Sequence, residues 1–141
     1  MDRIARLEAI AAISSLKAKY FRCMDCKLWD ELPEVFTDGM KVVTPDGAIY
    51  SEGGPIYAAS LRHSLETSVS CHQGFTSEIE IVDEANARGI WAMQDQIWWP
   101  EGAPVRRLVG SGHYHETYVR LASGWRIATM QLTRLHREFE P

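Results

Sequence analysis

From Val69 onward the chain reads as four long extended runs, residues 70–83, 87–99, 105–121 and 125–136, rich in β-branched and aromatic residues and separated by DEAN, PEGAP and ASG. Strands of this length joined by short loops pair in sequence order, which predicts an antiparallel meander. The first half of the chain has a different rhythm. Over residues 3–27 apolar or small side chains recur every three or four positions, at Ile4, Leu7, Ala11, Ser14, Ala18 and Phe21, which predicts an amphipathic helix. A second short helix is expected over about Leu28–Phe36, with Pro33 in its first turn, where a missing N–H does no harm. A short strand at KVVT, a PDG turn, and a helix from about Pro55 to Thr67 follow. Helices first and sheet last predicts an α+β fold, with N-terminal helices packed on one face of a strongly curved antiparallel sheet.

The chain has 141 residues, 45% of them hydrophobic, which suits a single domain over residues 1–141 with a core and a pocket. Its net charge of -4, with basic residues scattered and Arg106–Arg107 the only notable pair, argues against nucleic acid as a partner. The opening MDRIARLEAI is charged and amphipathic, unlike a signal peptide or a membrane span. A cytoplasmic protein without a membrane partner is expected. Cys23 and Cys26 form a C-x-x-C, but on a helix, without a preceding strand and without a second pair, so they are expected to be ordinary small helix residues rather than a redox or zinc motif.

Within YFRCMDCKLWDEL, residues 20–32, the helical stripe steps from Phe21 onto Asp25 before resuming at Leu28 and Leu32. The strands hold similar intruders. In the first run Ile79 and Ile81 oppose Glu78 and Glu80, and His72 shares the parity of the glutamates. A bulge near Gly74 would turn His72 to the apolar side. In the second run Asp95 has the parity of Trp91, Met93, Ile97 and Trp99. An ionised carboxylate without a partner in an apolar setting is very costly. The most economical arrangement has Asp25 hydrogen-bonded to one nitrogen of His72, the other nitrogen facing a cavity as a general base. Plainer readings stay open: a satisfied core histidine, Asp25 as a helix cap, Asp95 paired with Arg88 or with an adjacent strand. His113 and His115 form an H-x-H on one strand face, but no third ligand is identifiable, so structural histidines are favoured and no metal is expected. His63 is expected to be a solvated helix residue and His136 a chain-end one.

The segments ISSLKAKYFRCMDCKLWDEL, CHQGFTSEI and GSGHYHETYVRLASGWRI together resemble the SnoaL-like branch of the nuclear-transport-factor-2-like superfamily over nearly the whole chain, the first segment most specifically. Within that branch the chain looks most like the bile acid 7α-dehydratases, with scytalone dehydratases and hexachlorocyclohexane dehydrochlorinases more distant. The resemblance implies a cone-shaped α+β barrel, cystatin-like in fold. It also implies a cofactor-independent lyase that eliminates water from a hydroxylated, carbonyl-activated polycyclic or steroid-like molecule. In these lyases an aspartate near the first helix orients a histidine on a strand, positions held here by Asp25 and His72; Tyr20 and Asp95 match the further tyrosine and aspartate of the bile acid enzymes. There are departures. A further tyrosine of that site falls near Thr44, the second histidine of scytalone dehydratase falls near Trp99, and the chain stops soon after the last run, without the C-terminal extension that closes over the pocket in some relatives. Trp29, Trp91, Trp99 and Met130 are candidates to line the pocket of a small hydrophobic substrate from steroid or polyketide metabolism. Epoxide hydrolysis, polyketide cyclisation or isomerisation, and non-catalytic binding of a small ligand remain open on the same scaffold. Outward aromatics, for instance Trp98 or Tyr118, predict a homo-oligomer, a dimer or a trimer.

Overall fold

The computed structural model describes every residue, Met1–Pro141. Helix α1 spans Arg3–Asp25; Asp2 caps it by accepting from the Ala5 N–H at 2.7 Å. The helix stops where Lys27 turns to a positive φ of 60° and Cys26 closes back on the Arg22 carbonyl. Its buried face is Ala9, Ile13, Leu16, Lys17, Tyr20, Phe21, Cys23 and Met24. This corrects the stripe expected from spacing. Ile4 and Leu7 are exposed, as are Ala11 and Ala18, because the helix turns the neighbouring stripe of Ala9, Ile13, Lys17 and Tyr20 to the sheet. Asp25 is therefore not an interruption inside the seam but the last residue of the helix, half-buried.

After α1 the chain forms only a 3-10 turn, Leu32–Val35, with Pro33 in it, where a short α-helix was expected. Strand β1 is longer than KVVT and covers Phe36–Val43, so TDGM lies within it. Strand β2 is Ile49–Glu52, and helix α2 is Gly54–Leu65, started by Pro55. Gly54 lies against β1, and a Cβ there would meet the Thr37 carbonyl and come within 2.9 Å of Phe36 Cβ. The long strands follow as β3 (Val69–Ile81), β4 (Asn86–Trp98), β5 (Arg107–Leu121) and β6 (Gly124–Glu140). β6 runs four residues beyond the expected end because its last residues pair with the start of β5.

One sheet results, in the order β2-β1-β6-β5-β4-β3. The β3–β4–β5–β6 meander is antiparallel as expected, while β1 joins β6 in parallel and makes the sheet mixed. Bulges in β3 and β6 curve it around the helices. The core fills the space between α1, the 3-10 turn, α2 and the inner face, where Met40, Trp91, Met93, Ile97, Tyr118, Ile127 and Met130 are buried. The β3 bulge lies between Phe75 and Glu78, with Thr76 at a φ of 42°, rather than at Gly74. Its effect is the expected one, since Ser70 and His72 share the inner face with Ile79 and Ile81. Trp98 points outward and is 39% exposed. Tyr118, expected outward, is buried at 1%: its residue pairs across the sheet with Ile127 and Ala87, both inward.

Candidate active site

Asp25 and His72 meet. The β3 bulge points the imidazole at the end of α1, and His72 Nδ1 lies 2.7 Å from Asp25 Oδ1. The His72 backbone N–H donates to Asp25 Oδ2 at 2.8 Å and the Ser70 hydroxyl to Oδ1 at 2.9 Å. Three bonds thus fix one carboxylate. An ionised Asp25 requires the proton on Nδ1, which leaves the lone pair on Nε2. Nε2 has no hydrogen-bond partner and is not wholly sealed from solvent, in a side chain 6% exposed. Phe21 stacks against the imidazole, centroids 6.2 Å apart and planes 12° from parallel. Gly74 makes that approach possible, since a Cβ there would come within 2.8 Å of Phe21 Cε2.

Asp95 pairs with His72 across β3 and β4, so both side chains rise from the inner face. Its carboxylate is already engaged: Arg134 donates to Oδ1 at 2.7 Å and to Oδ2 at 3.0 Å, a two-pronged ion pair. Arg88, the partner considered from sequence, bonds Glu80 on the outer face instead. Arg134 escaped the sequence reading, although the glycines of GSG gave a signal. A Cβ at Gly110 would collide with Arg134 Nη1 and lie 2.8 Å from Asp95 Oδ1. Gly110→Ala is accordingly expected to separate the ion pair and lower stability by about 2 kcal/mol in urea unfolding.

Tyr20, 1% exposed, packs on Phe21, which in turn stacks on His72, and it makes no hydrogen bond to the dyad. Its hydroxyl lies within reach of those of Tyr57 on α2 and Tyr114 on β5. Below this group runs a second network that sequence reading missed. Lys17 Nζ bonds Glu116 Oε2 at 3.1 Å, with both side chains almost wholly buried. Glu116 Oε1 accepts from the Tyr118 hydroxyl at 3.0 Å, and Trp91 Nε1 donates to that hydroxyl at 2.9 Å. The ammonium lies 3.4 Å from the Tyr114 ring centre and 4.4 Å from that of Tyr20. The available signal was Lys17 at helical spacing from Ile13 and Phe21, and Glu116 between Tyr114 and Tyr118 in strand parity.

Burial pushes the Lys17 ammonium down to about 8, partly offset by Glu116, pushes the Tyr57 phenol up to about 12, and raises the phenols of Tyr20, Tyr114 and Tyr118 as well. The signs oppose each other. Between pH 8 and 10.5 the unfolded chain keeps a proton on Lys17 that the folded one gives up, so stability rises with pH. Above about pH 10 the unfolded chain loses phenol protons that the folded one retains, so stability falls. Urea unfolding from pH 7 to 12 is expected to show a shallow rise and then a steep loss.

The four candidate pocket residues do not share one cavity. Trp29 lines a small hollow of about 170 Å³ with Pro33, Pro55 and Ala58, and Trp99 Nε1 donates to the Ser64 carbonyl at the end of α2. Met130 lies under a groove of about 610 Å³ on the outer face, bordered by Glu78, Glu80, Arg88, Ile90 and His115. That groove includes none of Tyr20, Asp25, His72 and Asp95. Trp91 alone reaches the dyad's surroundings, its ring edge beside Gly74 and Phe21. Thr44, at the position of the missing tyrosine, closes an exposed turn with Asp46 and Ala48. His115 bonds Thr133 at 3.1 Å, and the rings of His113 and His115 are 6.4 Å apart. Cys23 is buried and Cys26 exposed, both as free thiols.

Comparison with known proteins agrees with this architecture. A probable cyclase of Gibberella zeae is 24% identical over 139 residues, spanning 92% of this chain and 93% of its own. Among solved structures, a proposed scytalone dehydratase of Novosphingobium aromaticivorans superposes with a TM-score of 0.87 at 18% identity, covering 99% of this chain and 93% of that one. The type 3 hexachlorocyclohexane dehydrochlorinase of Novosphingobium barchaimii superposes at 0.80, also at 18% identity, covering 99% and 94%. These relatives are enzymes that process small molecules by different reactions on one fold. The profile of the SnoaL-like domain matches residues 5–131, and the chain belongs to the SnoaL-like family.

Proposed function

We propose that the protein is a cofactor-independent lyase, a dehydratase that eliminates water from a hydroxylated polycyclic or steroid-like molecule whose C–H bond is acidified by a carbonyl. The observation that carries this reading is the Asp25–His72 pair, with Nδ1 held by a fixed carboxylate and Nε2 left without a protein partner. Nε2 would take the carbon-bound proton, Asp25 would stabilise the imidazolium that forms, and the imidazolium would then protonate the departing hydroxyl. Asp95, with both oxygens on Arg134, would hold a cation beside His72.

Cyclisation or isomerisation through an enol is the second reading, favoured by the match to a probable cyclase along almost the whole chain. Product analysis separates the two. Incubation with hydroxylated 3-oxo steroids should yield a product lacking one water and absorbing in the ultraviolet through a new conjugated double bond; a product of unchanged mass would favour the second reading. The partners in this proposal are a small hydrophobic substrate and further copies of the chain. The outer sheet face, with Phe75, Ile90 and Trp98 exposed, is the surface open to self-association.

A further inference from the structure

We propose that Ser70 is a positioning residue for the base: its hydroxyl holds the Asp25 carboxylate in the orientation that keeps the His72 imidazole in place with Nε2 unprotonated. The inference rests on the lyase reading and adds one residue to its machinery. Ser70 and His72 stand two apart on β3, so their side chains leave the same face of the strand. The Ser70 hydroxyl donates to Asp25 Oδ1 at 2.9 Å, the oxygen that also faces His72 Nδ1 at 2.7 Å.

Asp25 depends on β3 for its placement. It is the last residue of α1, at the helix end where the dipole opposes a negative charge, and its carboxylate takes all three of its hydrogen bonds from β3. Two of them come from His72, the residue being positioned. The His72 backbone N–H fixes Oδ2. Oδ1, on which the orientation of the imidazole depends, has only one donor besides the imidazole itself, and that donor is Ser70.

The donor is itself well held. Ser70 is buried, its residue pairs with the buried Ile97 across β3 and β4, and its hydroxyl donates to no group other than Asp25. The second constraint on the imidazole is Phe21, stacked on one face with planes 12° from parallel. Stacking resists tilting of the ring but lets it slide in its own plane. The shared Oδ1 supplies the missing in-plane restraint, and a base displaced by a fraction of an ångström loses rate.

The test uses the full chain with isotope-labelled histidine, read by nitrogen NMR, in Ser70→Ala, Ser70→Thr and Ser70→Val. Threonine keeps the hydroxyl, and valine matches threonine in shape without it. Wild type and Ser70→Thr are expected to hold His72 in a single tautomer protonated on Nδ1; Ser70→Ala and Ser70→Val should show a mixture. On a hydroxylated 3-oxo steroid kcat should fall about ten-fold in the alanine and valine variants, as expected for one lost hydrogen bond to a charged group, and return in Ser70→Thr. KM should stay within about two-fold throughout, since Ser70 touches the carboxylate and not the substrate in this proposal. Thermal midpoints should stay near that of wild type, because Oδ1 keeps the imidazole as a donor. A mixture already present in wild type, a wild-type His72 spectrum or kcat in Ser70→Ala, or matching spectra for the threonine and valine variants overturns the role of Ser70. Loss of the single tautomer in the alanine and valine variants with recovery in Ser70→Thr, together with a wild type that eliminates no water from any hydroxylated 3-oxo steroid, would uphold Ser70 and sink the lyase reading instead.

Discussion

His72→Ala is expected to lower the rate of elimination by about 10³-fold, close to 4 kcal/mol of transition-state stabilisation, with little loss of stability. The imidazole fills the gap between Asp25 and Phe21, but the backbone N–H of residue 72 still donates to the Asp25 carboxylate in the alanine variant. Fold and partnered carboxylate both survive, so the loss reads on chemistry. Asp25→Asn should cost about 10²-fold or more. An amide offers one acceptor oxygen where three donors now converge, so the imidazole loses its fixed tautomer or the β3 backbone loses its acceptor. The aspartate variant is the less clean of the two, because the same carboxylate ties α1 to β3; its thermal midpoint should fall as well. Rates and midpoints measured together for both variants check the assignment, and near-normal turnover by either would contradict it.

The largest expected effect on stability lies in the pair that does no chemistry in this account. Lys17→Met leaves Glu116 buried with only the Tyr118 hydroxyl for company, and breaking one side of a buried ion pair costs about 3–5 kcal/mol. The thermal midpoint should drop by about 10 °C or more. Removing both charges should be far milder. In Lys17→Met/Glu116→Gln the amide oxygen still accepts from Tyr118, and the apolar methionine rests on the Tyr20 and Tyr114 rings. Most of the lost midpoint should return. A double variant as unstable as the single one would mean that Lys17 matters for its shape and ring contacts rather than for its charge.

Much of the fold was legible because long strands announce themselves. Alternation in β3 to β6 depends on one local rule, and the meander then follows from short loops. Parity likewise exposed His72 and Asp95, since a polar side chain on an apolar face needs a partner. Helix phase was less legible. Small residues such as Ala11, Ser14 and Ala18 fit a stripe on either side, and the real one included a lysine, which a search for apolar spacing passes over. Lys17, Tyr57, Tyr114, Glu116 and Arg134 were missed for a shared physical reason. Each is satisfied or positioned by a residue far away in the chain, and only the folded sheet brings Arg134 over Gly110 or Glu116 under α1. The candidate pocket residues Trp29, Trp91, Trp99 and Met130 lie in different parts of the fold for the converse reason, as apolar character favours burial but does not say on which side of which layer.

The central claim is that His72 Nε2 removes a carbon-bound proton as water leaves. Single-turnover elimination by wild type from a hydroxylated 3-oxo steroid deuterated at the acidified carbon tests this most directly, because product release cannot mask the step. The account predicts a several-fold slower rate for the deuterated substrate and a product that has lost both that deuteron and the hydroxyl. Full retention of deuterium at that carbon in the product would contradict it.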